Sequence, residues 1–161
     1  APNPPTVVML VPRTPREFPP QAARPLMDQI SLTFVPALLL VRTGQPVEFR
    51  NSEDVLHNVR VRDEVTKEGT FNVALPTGGT YQHTFDHDGF FDVGCDIHPG
   101  MSALIISAST PYATIVGSDG TFTMAGVEPG TYTAVMIAGG VRTERAVEIV
   151  TGRNTLDLTG A

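Results

Sequence analysis

Residues 90–101 read FFDVGCDIHPGM, and the organisation of the whole chain turns on how that stretch is understood. Phe91, Val93 and Cys95 alternate with Phe90, Asp92 and Gly94, the period-two signature of a strand with one face toward a core. The alternation stops at Cys95. His98 and Met101 follow at three-residue steps, and SALIIS (102–107) resumes an apolar run. The segment therefore reads as strand, short loop, strand. Pro99 biases His98 toward extended backbone, and Gly100 leaves the chain free to curl and bring Met101 round. A loop anchored at both ends by strands can hold Cys95, His98 and Met101 about one point.

The same alternation recurs upstream. Shared faces are expected for Ile30, Leu32 and Phe34 in ISLTF and for Val47 and Phe49 in VEF. The same holds for His57, Val59 and Val61 in HNVRV, Phe71 and Val73 in TFNV, and Tyr81, His83 and Phe85 in YQHTF. VPALLLV (35–41) has the length of a strand. Gly, Asp or Pro separates these segments, as in antiparallel strands of a sandwich. Residues 62–70, RDEVTKEGT, have room for one helical turn and no more. With 15 Gly, 14 Pro and 41% apolar residues, the chain reads as an all-β protein with a core.

From residue 109 the texture changes. YATIVGSDGTFTM places Asp119-Gly120 between two alternating runs, a hairpin signal. VEPGTYTAVMIAGG, RAVEIV and NTLDLT read as further strands, four or five in all. A piece of this size is marginal by itself. The apolar run TVVMLV (6–11), set apart by a Pro-rich connector, is a strand without an obvious partner and could complete it.

Eleven Lys plus Arg against 17 Asp plus Glu give a net charge of −6. With no basic cluster, nucleic acid is not an expected partner. No apolar run approaches the roughly 20 residues of a membrane span. The sequence opens on APNPP, the kind of start that signal-peptide removal leaves, which suggests a periplasmic or extracellular protein. One cysteine rules out an internal disulfide, and metal ligation would explain an unpaired thiol in such a compartment. No nucleophile triad, phosphate-cradling loop or carboxylate pair stands out, so no enzyme activity is expected.

Thiolate and thioether are soft ligands, and imidazole suits copper. Two His and one Cys in a plane, with a weak axial Met, make the blue-copper arrangement. The loop supplies one His, and the second must come from a distant strand. A lone Cys on an apolar strand is commonly an inert core residue, so the loop alone does not decide. Structural zinc prefers more Cys and seldom uses Met, and a dinuclear copper centre would require a second Cys.

VEFRNSEDVLHNV (47–59) resembles the segment that carries the upstream histidine ligand in plastocyanin-like cupredoxins. FFDVGCDIHPGM resembles their C-terminal ligand loop, in the short spacing of amicyanin. The resemblance implies a Greek-key β-sandwich over residues 26–108, with one type 1 copper cycling between Cu(I) and Cu(II) in one-electron transfer. It implies His57, Cys95, His98 and Met101 as ligands, and Asn58 as the residue that braces the cysteine loop. His98 would be the electron's exit, and Val55, Leu56, Pro99 and Gly100 the surrounding docking surface. The partner would be a redox protein such as a c-type cytochrome or an oxidoreductase. One departure is Gly94, which stands where plastocyanins carry an aromatic residue.

Residues 109–161 resemble the carboxypeptidase regulatory-like (transthyretin-like) β-domains through DGTFTMAGVEPGTYTAVMIAGG and VEIVTGRNTLDLT. The fold expected is then a cupredoxin sandwich plus a small transthyretin-like one, the former inserted in the latter if residues 6–11 join it. Three rivals to the carrier remain open: a copper-delivery or storage protein, a small copper enzyme with an open coordination position, and a structural assembly module. His83 and His87 read as structural, although Asp86, His87 and Asp88 could make a weak second metal site. Asp86, Asp88, Asp92 and Asp96 read as a solvated acidic rim.

Overall fold

Alternating apolar residues and frequent turn residues fold here into strands alone. A computed structural model describes residues 4–159, and every regular element among them is a β-strand. No helix among the described residues is long and apolar enough to cross a membrane. The chain divides into two compact units, one of residues 20–109 and one joining 4–19 to 110–159.

The first unit holds nine strands in two sheets. One sheet contains β2 (Leu26–Ile30), β3 (Thr33–Val35), β5 (Pro46–Asn51) and β8 (Thr80–Thr84), in the order β3-β2-β5-β8. The other contains β4 (Leu38–Arg42), β6 (His57–Asp63), β7 (Gly69–Leu75), β9 (Gly89–Gly94) and β10 (Ser102–Ala108), in the order β4-β10-β9-β6-β7. Met27, Val47, Phe49 and Phe85 from the first meet Val59, Val61, Phe91, Val93 and Ile105 from the second in one core. This is a β-sandwich, and the inward residues are those that the alternation of VEF, HNVRV and FFDVGC selects.

One local reading of this unit fails for an identifiable reason. Ile30, Leu32 and Phe34 do not share a face, because ISLTF is a tight hairpin rather than one strand. Ser31 and Leu32 both adopt positive φ, 52° and 56°, which leaves Ile30 and Leu32 exposed and Phe34 buried. The strand lies earlier, in LMDQI, where Gln29 is fully buried and donates to the Asn58 carbonyl at 3.1 Å. Residues 62–70 hold a single turn, closed by the Lys67 N–H on the Asp63 carbonyl at 2.9 Å. β6 ends at Asp63, whose carboxylate accepts the backbone N–H groups of Val65 and Thr66, and β7 begins at Gly69.

In the second unit, β1 (Val7–Pro12), β11 (Ala113–Ile115), β12 (Gly130–Ala138) and β13 (Val141–Ile149) form one sheet in the order β11-β1-β12-β13. β1 is antiparallel to both neighbours, with Val7 opposite Ile115 on one side and Ile137 on the other. Asp119-Gly120 does turn the chain, through the Gly120 N–H to Gly117 carbonyl bond, but the residues after it form no strand. Neither does NTLDLT. In both segments side chains pack without ladder pairing. Phe122, Met124, Leu156 and Leu158 all join the cluster around Val8, Leu10, Tyr132 and Ile149.

Candidate metal centre

Strand direction brings the centre together. β6 runs antiparallel to β9, with Arg60 opposite Gly94, so the start of β6 lies beside the loop that leaves β9. His57 faces the core in register with Val59 and Val61 and is fully buried, and Cys95 is 2% exposed. The loop returns as a turn closed by the Met101 N–H on the His98 carbonyl at 2.9 Å, and that turn buries Met101 at the head of β10.

One donor atom from each of His57, Cys95 and His98 lies within 4.8 Å of the others. His57 Nδ1 is 3.8 Å from Cys95 Sγ and 3.0 Å from His98 Nδ1. The two rings therefore turn their Nδ1 atoms toward each other, and that of His57 also faces the sulfur. His57 and Cys95 are buried while His98 is half-buried, so the centre reaches solvent along one imidazole.

Asn58 organises the loop. Its Oδ1 accepts the Asp96 N–H at 2.6 Å and the Ile97 N–H at 3.2 Å, with the Cys95 Sγ also 3.2 Å away. Its own N–H points to that sulfur at 3.5 Å. Its Nδ2 donates to Asn72 Oδ1 and Asp96 Oδ2 at 3.0 and 3.1 Å. One amide thus holds three consecutive residues of the ligand loop, an outer-shell brace of the kind that orients ligands.

The fold and donor set identify the family. A model of the copper binding proteins of the plastocyanin/azurin family matches residues 24–107, a little over half of the chain. The chain belongs to that family. None of the curated proteins searched matches it in sequence. Among solved structures, a purple cupredoxin from Nitrosopumilus maritimus is similar at 23% identity, covering 52% of this chain and 99% of its own, with a TM-score of 0.47. A reduced amicyanin variant is similar at 21% identity over 63% of this chain and 98% of its own, TM-score 0.49. A copper-containing nitrite reductase from Thermus scotoductus shares 25% identity over 63% of this chain but only 25% of its own, TM-score 0.49.

As a cupredoxin, this chain binds copper, and its residues fit the ion. Two imidazoles, a thiol and a thioether are the soft and borderline donors that copper selects. His57, Cys95, His98 and Met101 are positioned to form the site.

Other expected features are placed differently. His83 is remote, its ring packed between Phe71 and Phe85 with centroids 4.8 Å from each, and burial holds its pKa below the ordinary value. His87 contacts Asp86 Oδ1 at 2.7 Å through Nδ1 and Asp63 Oδ2 at 3.1 Å through Nε2. Bonds to Asp86 first, then Asp63, raise its pKa. The two carboxylates sit on opposite sides of the ring and so do not converge, and Asp88 turns instead to Thr43 and Ser109. The four acidic residues are not a free rim. Asp92 pairs with Arg62, and Asp96 pairs with Arg60 while accepting from Asn58 and Asn72.

Sequence reasoning missed two residues here. Glu53 brings Oε1 to 3.5 Å from His57 Nε2, a buried nitrogen that makes no hydrogen bond among the described residues, and also accepts the Leu32 N–H at 2.6 Å. Ile97 is 45% exposed, alongside Val55 at 42% and Leu56 at 50%. A carboxylate four residues before His57 and an apolar residue between Cys95 and His98 were the available signals.

Proposed function

We propose that the protein carries single electrons between redox partners, with His57, Cys95, His98 and Met101 as the ligands of one copper ion. Bound copper supplies the one-electron couple. The chain's contribution is a site that keeps its shape. His57 sits on a strand, and the loop bearing Cys95 is tied by Asn58 at three successive residues. A ligand set held in this way rearranges little on a change of charge, as a carrier requires and a delivery protein does not. The Asn58 brace is the observation that carries this reading.

His98 is the half-exposed ligand, and the loops beside it present Val55, Leu56, Ile97, Pro99 and Gly100 to solvent. This apolar rim suits transient docking of a redox protein such as a c-type cytochrome or an oxidoreductase. A periplasmic or extracellular location agrees with the use of the lone cysteine as a ligand. We read the unit of residues 4–19 and 110–159 as a carboxypeptidase regulatory-like β-domain, supported by its single sheet with β1 between β11 and β12.

Stopped-flow reduction by c-type cytochromes, run beside transfer of Cu(I) to a chelating acceptor, tests the proposal. Fast electron exchange with retention of copper is expected. Rapid loss of Cu(I) to the acceptor, without electron exchange, would make it a delivery protein.

A further inference from the structure

Arg60 and Gly94 face each other across β6 and β9, and Gly94 is the residue before Cys95. A Cβ on Gly94 would lie 2.5 Å from Arg60 Nη2, 3.3 Å from Cζ and 3.8 Å from Nε. The guanidinium therefore occupies the space of the missing side chain. The same fork pairs with Asp96, the residue after Cys95. Asp96 in turn accepts from Asn58 and Asn72, so Arg60 closes the network that holds the loop. Its side chain is 33% exposed, and its Nε is buried without a hydrogen-bond partner among the described residues.

We propose that Arg60 is a positioning residue for the copper site, standing in for a side chain at Gly94 and clamping the cysteine loop through Asp96. A strand glycine leaves nothing to pack against its neighbours. The planar, permanently charged fork of Arg fills that gap and holds a carboxylate in fixed geometry, which an ammonium cannot do as well. The clamp also holds a positive charge at Gly94 and Asp96, the two residues that flank Cys95. Its removal leaves Asp96 uncompensated. Loss of a cation and exposure of an anion both favour the more positive, oxidised metal, so the reduction potential falls.

The clamp makes Gly94 and Arg60 energetically one unit. Nη2 is the end of a flexible side chain, so a methyl group at position 94 would push the fork off Asp96 rather than break the strand. Gly94→Ala and Arg60→Ala then delete the same contact, and their effects do not add.

The test uses urea unfolding of the full chain without copper and redox titration of the copper-loaded protein. Its variants are Arg60→Ala, Gly94→Ala, the double variant and Arg60→Lys. Each single Ala variant should lower the urea midpoint, with the double no worse than Arg60→Ala alone. Arg60→Ala should lower the potential while retaining the visible colour, and Arg60→Lys should recover the potential more fully than the midpoint. Additive losses overturn the clamp, as does an unchanged potential in Arg60→Ala. If Gly94→Ala fails to fold, rescue in the double variant supports the clamp and absence of rescue overturns it. The electrochemical arm rests on the carrier reading. A wild-type chain that takes up no copper rejects that reading, while the copper-free cycle still decides the clamp.

Discussion

The Nδ1 atoms of His57 and His98 lie 3.0 Å apart although 41 positions separate the residues. Two structural facts produce this approach. His57 opens β6 facing inward, and the turn closed by Met101 N–H on the His98 carbonyl folds the loop from β9 back over it. Imidazoles held this close with a thiol beside them bring converging donor atoms to one point, as a ligand set requires.

Metal content and colour should follow Cys95. The wild-type chain is expected to bind one copper with an intense thiolate-to-copper band. Cys95→Ser should lose that band while the unfolding midpoint of the copper-free protein changes little. Visible absorption and metal analysis together check this, and a variant retaining full colour would remove Cys95 from the site.

Asn58→Ala should loosen the loop more than the core. It strips the acceptor from the Asp96 and Ile97 N–H groups, and unsatisfied donors of this kind cost about 2 kcal/mol. Urea unfolding of the copper-free protein reads the loss. Amide exchange should rise at residues 96 and 97 specifically, and unchanged exchange there would contradict the brace.

The His87 contacts give stability a pH signature. Its pKa is raised by Asp86 and Asp63, so its contribution is fully present below the ordinary His value of about 6.5 and fades as pH rises through the raised value. Asp63 and Asp86 are lowered, Asp63 first by the Thr66 N–H and Asp86 first by His87. Their contributions are present above the ordinary carboxylate range and fade as pH falls through the lowered values. The three together favour mildly acidic conditions. Urea midpoints measured across pH should show His87→Gln losing stability on the acid side of neutrality and little above it.

Leu10→Ala should weaken the unit of residues 4–19 and 110–159 alone. Leu10 is 2% exposed among Val8, Tyr132, Ile149 and Leu158, and such a truncation costs about 2–4 kcal/mol. Amide exchange should rise along β12 and β13 while the copper band is unaltered. Bleaching of the band at the same denaturant concentration would contradict independent units.

Much of this architecture was legible, and the exceptions share a cause. VEF, HNVRV and FFDVGC alternate cleanly because one face of each packs its apolar side chains into the core. LMDQI hides its strand because Asp28 and Gln29 are buried by hydrogen bonding, to Ser52 and to the Asn58 carbonyl, and composition cannot foresee partners that distant. ISLTF misleads because Ser31 and Leu32 take positive φ, a conformation that their residue types do not advertise. TFTM and NTLDLT have strand composition but satisfy their apolar side chains as packed loops. At the metal centre, the grouping of Cys95, His98 and Met101 could be argued from a seven-residue loop. The approach of His57 rested on family resemblance, and the direction in which Glu53 points rested on nothing local.

β1 is a central strand of its sheet, yet the residues opposite Val7 are Ile115 and Ile137. VVML is therefore made before either strand that pairs with it and has no partner while the intervening copper unit is synthesised. Pairing this remote in sequence is slow to form, and a bare apolar strand invites association with other chains meanwhile. A polypeptide interrupted between residues 102 and 112 carries His57, Cys95, His98 and Met101 and still leaves VVML unpaired. Biogenesis is thus vulnerable at β1 until β12 exists.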